Sequence, residues 1–263
     1  MSSLPPVIVV TGASRGIGRA VTLEALEQGA FVVSVARTEH LLRTIEAETT
    51  FPANYSYIVA DLALEKDLER VVSHTIAKHG RIDSIILNAG VIDPIKSLAD
   101  IKEAEWRSLF ELNFFSVVSL VQKALPELRK SRGNCVMVSS GAAMIAFPGW
   151  AAYCCSKAAL NMFSYCLAIE EPEVRCTAIH PGAVDTDFQR LIRETGLIVP
   201  VGSKHMSRND YNGFVSMKHN NILVKPDEVG FVLAKLARDG VPDQFHGKFF
   251  SWDDAELEYF RKI

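Results

Sequence analysis

Short apolar runs rich in Val, Ile and Phe alternate along the chain with stretches in which apolar residues recur at helical spacing. A short β-branched run bounded by turn residues is typical of a strand buried on both faces. Such runs occupy residues 7–10, 31–35, 57–60, 84–87, 135–138, 174–179 and 248–251. Helical spacing follows the first run, and it recurs over 103–128 (with a break near its start), 152–169 and 227–237. This alternation predicts an α/β fold: a mostly parallel sheet of about seven strands with helices on both faces.

Residues 187–225 interrupt this alternation. The segment is rich in Gly, Ser, Asn, Lys and His, and its apolar residues are scattered. A connection this long inside a compact domain is usually a lid or binding loop that carries short helices. We therefore expect a substrate loop here, with a disordered insertion as the alternative.

The composition fits one domain that spans residues 1–263. The chain is 48% hydrophobic and 22% charged, which allows a sizeable core to be buried. Its net charge of -3 gives no electrostatic reason to expect nucleic acid or an anionic membrane as a partner. No apolar run approaches the roughly 20 residues that span a bilayer, and the N-terminus lacks the pattern of a signal peptide. A cytoplasmic enzyme is the simplest interpretation.

The cysteines do not indicate a metal site. There are five, an odd number, and their spacing is unlike that of metal ligands. We interpret them as reduced thiols in or near the core, as in a reducing compartment. Cys154 and Cys155 adjoin Tyr153, so a redox role for either thiol is the alternative.

A glycine-rich segment follows the first predicted strand and precedes a predicted helix. It has the spacing Gly-x-x-x-Gly-x-Gly, in contrast to the Gly-x-Gly-x-x-Gly of the commoner dinucleotide fingerprint. Glycines let the backbone approach a pyrophosphate, whose charge then meets the helix N-terminus. The predicted cofactor-binding residues of this loop are Gly12, Ser14, Arg15, Gly16, Ile17 and Gly18.

The end of the second predicted strand favours NADP(H) over NAD(H). NAD sites of this type place an acidic residue there to hold the adenosine ribose. This chain instead has Arg37, which together with Arg15 can pair with a 2′-phosphate. Two solvated arginines are the alternative.

Other polar residues follow further strands, at the edge of the sheet where ligands bind in such folds. Asp61 and Leu62 follow the third strand and are placed to meet the adenine, whereas Asn88, Ala89 and Gly90 follow the fourth and are expected beside the glycine loop. A simple strand-end turn is the alternative for the second group.

Tyr153 and Lys157 are separated by one helical turn, so that an ammonium and a phenol share one helix face. Such a lysine favours the phenolate and makes tyrosine a better acid–base group, and it can also bind the nicotinamide ribose. Ser140, at the end of the fifth strand, can donate a hydrogen bond to the substrate oxygen, with Ser139 as the competitor. Asn113 lies within a helix, where asparagine is a poor former, and it can hold a water in a proton relay to Lys157.

A rigid turn follows the sixth strand. Within it Pro181, Gly182, Val184 and Thr186 are candidate cofactor contacts, the last two to the nicotinamide carboxamide and the pyrophosphate. His180 precedes this turn, and we interpret it as a strand-end histidine without a catalytic role.

These motifs together resemble the short-chain dehydrogenase/reductase family over nearly the whole chain. The resemblance implies a single-domain, doubly wound Rossmann-type fold, hydride transfer with a nicotinamide cofactor, and a tetrad of Asn113, Ser140, Tyr153 and Lys157. A narrower resemblance is carried by segments 36–39, 113–120, 139–142, 149–153 and 155–161, which look like the fungal and bacterial benzil reductases, themselves similar to sepiapterin reductases. It implies NADPH-dependent reduction of aromatic or vicinal diketones, with Tyr153 as general acid.

Aromatic residues near Tyr153 suit a planar, apolar carbonyl compound. The candidate substrate contacts are Phe147, Trp150, Phe188 and Met206, alongside Ser140 and Tyr153, with ordinary packing as the alternative for each. The family often assembles through the helices that carry Asn113 and Tyr153, so a homodimer or homotetramer is expected.

Two other functions remain open at this point. One is an NADP-dependent sugar or polyol dehydrogenase, or another alcohol dehydrogenase. The other is an NADP(H)-binding regulatory or scaffold protein with vestigial activity.

Overall fold

Seven parallel strands form a single sheet in the computed structural model, which describes residues 4–195 and 206–262. The strands are β1 (Val7–Thr11), β2 (Phe31–Ala36), β3 (Tyr55–Val59), β4 (Ser84–Leu87), β5 (Asn134–Val138), β6 (Arg175–His180) and β7 (Phe249–Ser251). Their order in the sheet is β3-β2-β1-β4-β5-β6-β7, and every neighbouring pair is parallel. The predicted α/β fold, doubly wound and Rossmann-like, is therefore confirmed.

Helices connect the strands and cover both faces of the sheet. They are α1 (Gly16–Glu27), α2 (Glu39–Glu48), α3 (Glu65–His79), α4 (Glu103–Phe110), α5 (Ser116–Ser131), α6 (Ala151–Glu170), α7 (Asp187–Thr195), α8 (Arg208–His219) and α9 (Pro226–Asp239). Among the described residues, no helix is long and apolar enough to cross a membrane.

Successive strand residues point to opposite faces and build two separate cores. Ile8 and Val10 of β1 belong to the core beneath α1, α2 and α9, whereas Val7 and Val9 belong to the core beneath α3, α5 and α6. Both faces of the strand are thus buried, which is why the sequence of β1 is continuously apolar.

The predicted break in the 103–128 helix is a π-helical segment, Glu111–Phe115, between α4 and α5. Asn113 is fully buried inside it. A π-turn widens the helix locally, and such turns are frequent at functional sites.

The 187–225 segment contains the expected short helices, α7 and α8, while residues 196–205 lie outside the described part of the chain. Its two ends run side by side, because Val184 and Val224 form an isolated parallel bridge. The Val224 N–H donates to the carbonyl of Ala183 and the Asp185 N–H donates to the carbonyl of Val224, each at 2.9 Å. The chain therefore leaves and re-enters the main body at one place.

Candidate active site

A long cavity of about 710 Å³ runs along the carboxyl ends of the strands. Its wall includes nearly all the predicted cofactor and catalytic residues: Gly12, Ser14, Arg15, Gly16, Ile17, Arg37, Asp61, Leu62, Asn88, Ala89, Gly90, Ser140, Tyr153, Lys157, Pro181, Gly182, Val184 and Thr186. Three predicted site residues, Gly18, Asn113 and Met206, are buried and stand behind this wall.

The glycine loop passes so close to neighbouring backbone that side chains are excluded. Gly12 has a φ of +64°, a conformation that favours glycine. A Cβ on Gly18 would lie 2.3 Å from the Gly12 carbonyl oxygen and 2.5 Å from Nδ2 of Asn88. Gly18 therefore acts through packing: it lets the first turn of α1 close onto the loop and leaves the helix N-terminus facing the cavity.

Hydrogen bonds join the glycine loop to the end of β4. The Asn88 side chain donates from Nδ2 to the carbonyls of Thr11 (2.9 Å) and Gly12 (3.2 Å). In return, Oγ1 of Thr11 accepts from the backbone N–H groups of Asn88 (3.0 Å) and Ala89 (3.1 Å). The Asn-Ala-Gly segment thus lies beside the glycine loop, as predicted, and it holds that loop in place.

Two arginines flank the far end of the cavity. Arg37 is exposed and has no ion pair within the described residues, since the nearby carboxylate of Glu39 pairs with Arg43 at 2.7 Å. Arg15 is also exposed, and its guanidinium lies 3.5 Å from the Asp187 carboxylate on α7. An exposed pair at that distance is weak, so both guanidinium groups are available to an anion.

Tyr153 and Ser140 both line the other end of the cavity, where the Ser140 hydroxyl is near enough to the phenol to lower its pKa. The Ser140 hydroxyl oxygen also accepts the backbone N–H of Ala142 at 3.1 Å, which leaves its proton free to be donated. Ser139, the competing serine, is 2% exposed, and its hydroxyl donates to Oδ1 of Asn161 at 2.5 Å. The geometry therefore favours Ser140 as the group that meets a substrate oxygen.

Lys157 is buried on the same helix face as Tyr153. Its Nζ donates to the Val138 carbonyl at 2.8 Å and lies 5.9 Å from the centre of the Tyr153 ring. Burial lowers the pKa of Lys157 to about 8. Its ammonium is thus held between the tyrosine and the end of β5, with two N–H donors remaining.

The pKa of Tyr153 differs from the sequence expectation. Burial raises it to about 12, and the nearby Ser140 hydroxyl only partly opposes this. Lys157 does not reverse the effect, since its ammonium is fixed at the Val138 carbonyl and is itself disfavoured by burial. Burial thus keeps Tyr153 protonated at neutral pH and makes its phenol a weaker acid than an exposed tyrosine.

The Asn113 amide connects two parts of the site through hydrogen bonds. Its Oδ1 accepts the Val91 N–H and its Nδ2 donates to the Val91 carbonyl, both at 2.8 Å. Nδ2 also lies 3.2 Å from the Ser156 hydroxyl on α6. The amide thus fixes the residue after Gly90 to the helix that carries Tyr153 and Lys157. The water relay expected of Asn113 stays a prediction.

His180 links two turns of the site. Its Nδ1 accepts the backbone N–H of Gly141 at 2.9 Å and that of Gly182 at 3.3 Å. Nδ1 is therefore unprotonated, and desolvation lowers the pKa of the ring. The contact supports the interpretation of His180 as a structural group.

An aromatic cluster forms the wall beside Tyr153. The Trp150 ring centre lies 4.8 Å from that of Phe147, 5.4 Å from Phe214 and 6.0 Å from Tyr153, and the Tyr153 ring is 5.6 Å from Phe188. Met206 packs in the same apolar cluster, behind the cavity wall. We use the name aromatic cluster below for Phe147, Trp150, Tyr153, Phe188 and Phe214.

Several residues of the cavity wall are not predicted from the sequence. They come from the turn after Gly90, the turn after Ser140, α7 and α8, and they are Val91, Ile92, Ile145, Gln189, Leu191, Ile192, Phe214 and Met217. Those after Gly90 directly follow a recognised motif, which is a usable signal. Those on α7 and α8 come from the irregular segment, where the spacing of Phe188, Leu191 and Ile192 at i, i+3 and i+4 was a usable signal for one apolar helix face.

Comparison with known proteins agrees with the fold and the site. Residues 6–197 match the short chain dehydrogenase family model, and the chain belongs to this family, in its benzil-reductase-like branch. It is an oxidoreductase of a family that binds nicotinamide cofactors.

Two relatives from Saccharomyces cerevisiae cover almost the whole chain. The uncharacterised oxidoreductase YIR035C is 41% identical over 97% of this chain and 98% of its own. Its crystal structure superposes with a TM-score of 0.91 over 98% of this chain and all of that one, at 40% identity. The (S)-benzoin-forming benzil reductase IRC24 is 40% identical over 95% of this chain and 97% of its own.

Proposed function

We propose that the protein is an NADPH-dependent carbonyl reductase that transfers hydride to a ketone, an aromatic or vicinal diketone, with Tyr153 as the general acid. The observation that carries this proposal is the position of Tyr153, with Ser140 in the same cavity end, in the aromatic wall of a cavity that continues to a glycine loop. A phenol that keeps its proton at neutral pH suits reduction, because the forming alkoxide must receive a proton.

The cavity fits a nicotinamide dinucleotide. Gly12, Ser14, Arg15, Gly16 and Ile17 of the glycine loop line it at the N-terminus of α1, where a pyrophosphate is stabilised. When bound, the cofactor supplies the hydride. Lys157, with two free N–H donors, would hold the nicotinamide ribose, and Val184 and Thr186 line the same cavity.

Ser140, Tyr153 and the aromatic cluster have different roles in the reaction. Ser140 donates its free proton in a hydrogen bond to the substrate oxygen and stabilises the charge that develops there. Tyr153 transfers its phenolic proton to that oxygen as hydride reaches the carbon. The aromatic cluster excludes water and positions a flat substrate against the nicotinamide side of the cavity.

The preference for NADPH is supported by charge. Arg37 stands at the end of β2 without an ion-pair partner among the described residues, and no carboxylate occupies that position to bind ribose hydroxyls. A guanidinium at this point favours the doubly charged 2′-phosphate.

The preference for an aromatic diketone is supported by the wall and by the relative. The rings of Trp150 and Phe188 pack on Tyr153, and those of Phe147 and Phe214 pack on Trp150, whereas a sugar or polyol site needs several polar groups along its wall. IRC24, at 40% identity, is a benzil reductase.

Assembly and location form part of the proposal. We expect a homodimer or homotetramer, built on the outer faces of the π-segment and α6, where Phe115, Met162, Tyr165 and Ile169 are exposed. Phe163 and Leu167 of α6 pack instead against the core. All five cysteines are free thiols, in keeping with a cytoplasmic protein.

The test is oxidation of NADPH, with NADH as control, in the presence of benzil, 1-phenyl-1,2-propanedione, sepiapterin and several sugars. We expect NADPH-specific turnover of the aromatic diketones. Tyr153→Phe should lower kcat by about 10²–10⁴-fold with NADPH binding retained. Binding without turnover of any carbonyl compound by the wild type would point to the regulatory function instead.

A further inference from the structure

Three consecutive residues at the beginning of α7 connect the glycine loop to the catalytic tyrosine. Thr186 packs on the loop, because a Cβ on Gly16 would lie 3.0 Å from the Cγ2 atom of Thr186. Phe188 packs on Tyr153, with the ring centres 5.6 Å apart. Asp187 stands between these two residues and lines the same cavity. The backbone of Asp187 is therefore fixed on both sides by contacts with the main body.

The Asp187 carboxylate is shared by two guanidinium groups. One oxygen, Oδ2, lies 3.5 Å from Nη1 of Arg15, and the other, Oδ1, lies 2.9 Å from Nη2 of Arg190. About half of each side chain is exposed, at 57% for both arginines and 51% for Asp187. Water therefore screens both ion pairs, and the longer pair, with Arg15, is the weaker one.

Arg15 is also one of the two arginines that we expect to bind the 2′-phosphate of NADPH. A phosphate monoester carries nearly two negative charges at neutral pH, so it attracts a guanidinium more strongly than one carboxylate does. Asp187 can lose Arg15 at little cost, because its closer partner Arg190 lies one turn away on the same helix. The two anions would repel each other if both stayed at Arg15, so they compete for it.

We propose that Asp187 sets the affinity for NADPH by competing with the 2′-phosphate for Arg15. This inference rests on the proposed preference for NADPH. The 2′-phosphate must displace the carboxylate, whereas NADH lacks that group and leaves the pair between Arg15 and Asp187 intact. Asp187 therefore weakens the binding of NADPH and NADP⁺ alike, without affecting that of NADH, and it eases the release of the oxidised cofactor.

The experiment measures the dissociation constants of NADPH, NADP⁺ and NADH by isothermal titration calorimetry, without a carbonyl substrate. Asp187→Asn removes the charge and keeps the shape of the side chain. Asp185→Asn is the matched control, since it removes the same charge two residues earlier, where the carboxylate pairs with Lys218 at 2.7 Å. Both variants are measured again in an Arg15→Ala background.

We expect Asp187→Asn to lower the dissociation constants of NADPH and NADP⁺ by about two- to fivefold and to change that of NADH by less than about 1.5-fold. Asp185→Asn should change all three constants by less than about 1.5-fold. In the Arg15→Ala background the gain from Asp187→Asn should disappear, because the group for which the two anions compete is absent. The gain should also shrink in roughly 1 M salt, which screens exposed charges.

Three results would overturn the inference. Equal gains from Asp187→Asn and Asp185→Asn would show a general effect of charge on the cofactor. A gain that persists without Arg15, or that NADH shares, would show that no competition with the 2′-phosphate takes place. Opposite effects on NADPH and NADP⁺ would place the carboxylate near the nicotinamide, the ring whose charge differs between these two cofactors.

A second variant should have the opposite effect, and it decides if Asp187→Asn does not fold. Arg190→Gln leaves Arg15 as the partner of Asp187 among the described residues, so the dissociation constant of NADPH should rise about twofold while that of NADH stays constant. The rise should be absent in the Arg15→Ala background. A rise that remains there, or that NADH shares, would refute the competition.

The outcomes for the inference and for the proposed function are distinguishable. If the wild type binds NADH as tightly as NADPH, the proposed cofactor preference fails, and the inference fails with it. If the wild type prefers NADPH and Asp187→Asn changes none of the three constants, the inference alone fails.

Discussion

The ring of His180 accepts the backbone N–H of Gly141 at 2.9 Å, which ties the turn after Ser140 to the end of β6. The same nitrogen lies 3.3 Å from the Gly182 N–H, so that one imidazole joins the catalytic turn to the cofactor turn. The hydroxyl of Ser140 is thus positioned by a residue that need not touch the substrate.

We therefore expect His180→Ala to lower kcat by about tenfold, since Ser140 loses its fixed position while the proton donor remains. His180→Asn retains an acceptor near Nδ1 and should recover most of this loss. Steady-state kinetics on both variants checks the expectation. If asparagine is no better than alanine, the hydrogen bond to Gly141 is not what matters.

Arg37 should decide between the two nicotinamide cofactors. Arg37→Ala removes a charge-assisted contact to the 2′-phosphate, and we expect kcat/KM for NADPH to fall about 10–100-fold while that for NADH stays nearly constant. Arg43→Ala, which removes a neighbouring exposed arginine already paired with Glu39, is the control and should have little effect. A similar loss with both cofactors would refute the assignment.

NADPH binding should weaken above pH 8. The pKa of Lys157 is lowered to about 8 by burial, so the free enzyme loses the ammonium as the pH rises past that value. If NADPH binds the protonated form, its dissociation constant should rise by up to about tenfold per pH unit beyond this point. Fluorescence titration between pH 7 and 9 measures it, and Lys157→Met should bind more weakly and without this dependence.

The same burial should make Lys157 a source of instability. Its folded-state pKa of about 8 lies below the ordinary value of 10.5, so the folded state disfavours the bound proton. This penalty is complete below pH 8 and disappears as the pH rises from 8 to 10.5. We expect Lys157→Met to raise the free energy of unfolding by roughly 2–3 kcal/mol at pH 7 and by much less near pH 10.5. Denaturant unfolding at the two pH values provides the comparison.

Substitution by alanine should lower the stability of the protein at Gly18 and raise it at Gly213. In Gly18→Ala the Cβ would meet the Gly12 carbonyl at 2.3 Å, so we expect loss of NADPH binding and a destabilisation of roughly 1–3 kcal/mol. Gly213 lies within α8 with nothing within 4 Å of its Cβ position, and Gly213→Ala should stabilise the protein by about 0.5–1 kcal/mol. Thermal unfolding with and without NADPH tests both variants.

The sequence predicts the sheet and the cofactor end well because both depend on local signals. The strands are buried on both faces, so their apolar runs are continuous and easily recognised, although β3 begins at Tyr55, two residues before its predicted start. The glycine loop and the residues after β4 need particular residue types at fixed spacing, and the structure brings them together as expected.

The substrate end of the cavity was less predictable, because a residue contributes there only if its side chain points into the cavity. Phe147, Trp150 and Phe188 do line the cavity, whereas Met206 is buried behind it. Gln189 gave no signal at all, since a glutamine in a polar segment ordinarily faces solvent. Its burial follows from how α7 packs its apolar face, which carries Phe188, Leu191 and Ile192, against the main body. The raised pKa of Tyr153 is likewise a property of the enclosed cavity and not of the spacing to Lys157.

The bridge between Val184 and Val224 makes the segment between them easy to alter during evolution. Because the segment it closes begins and ends at one point, lengthening or replacing that segment adds little closure entropy and leaves the strand register untouched. Gln189 and Phe214 belong to it, whereas Arg37, the glycine loop and Tyr153 do not. Evolution can therefore change the residues of this segment, and with them the substrate preference, without changing the residues that bind the cofactor and transfer the hydride.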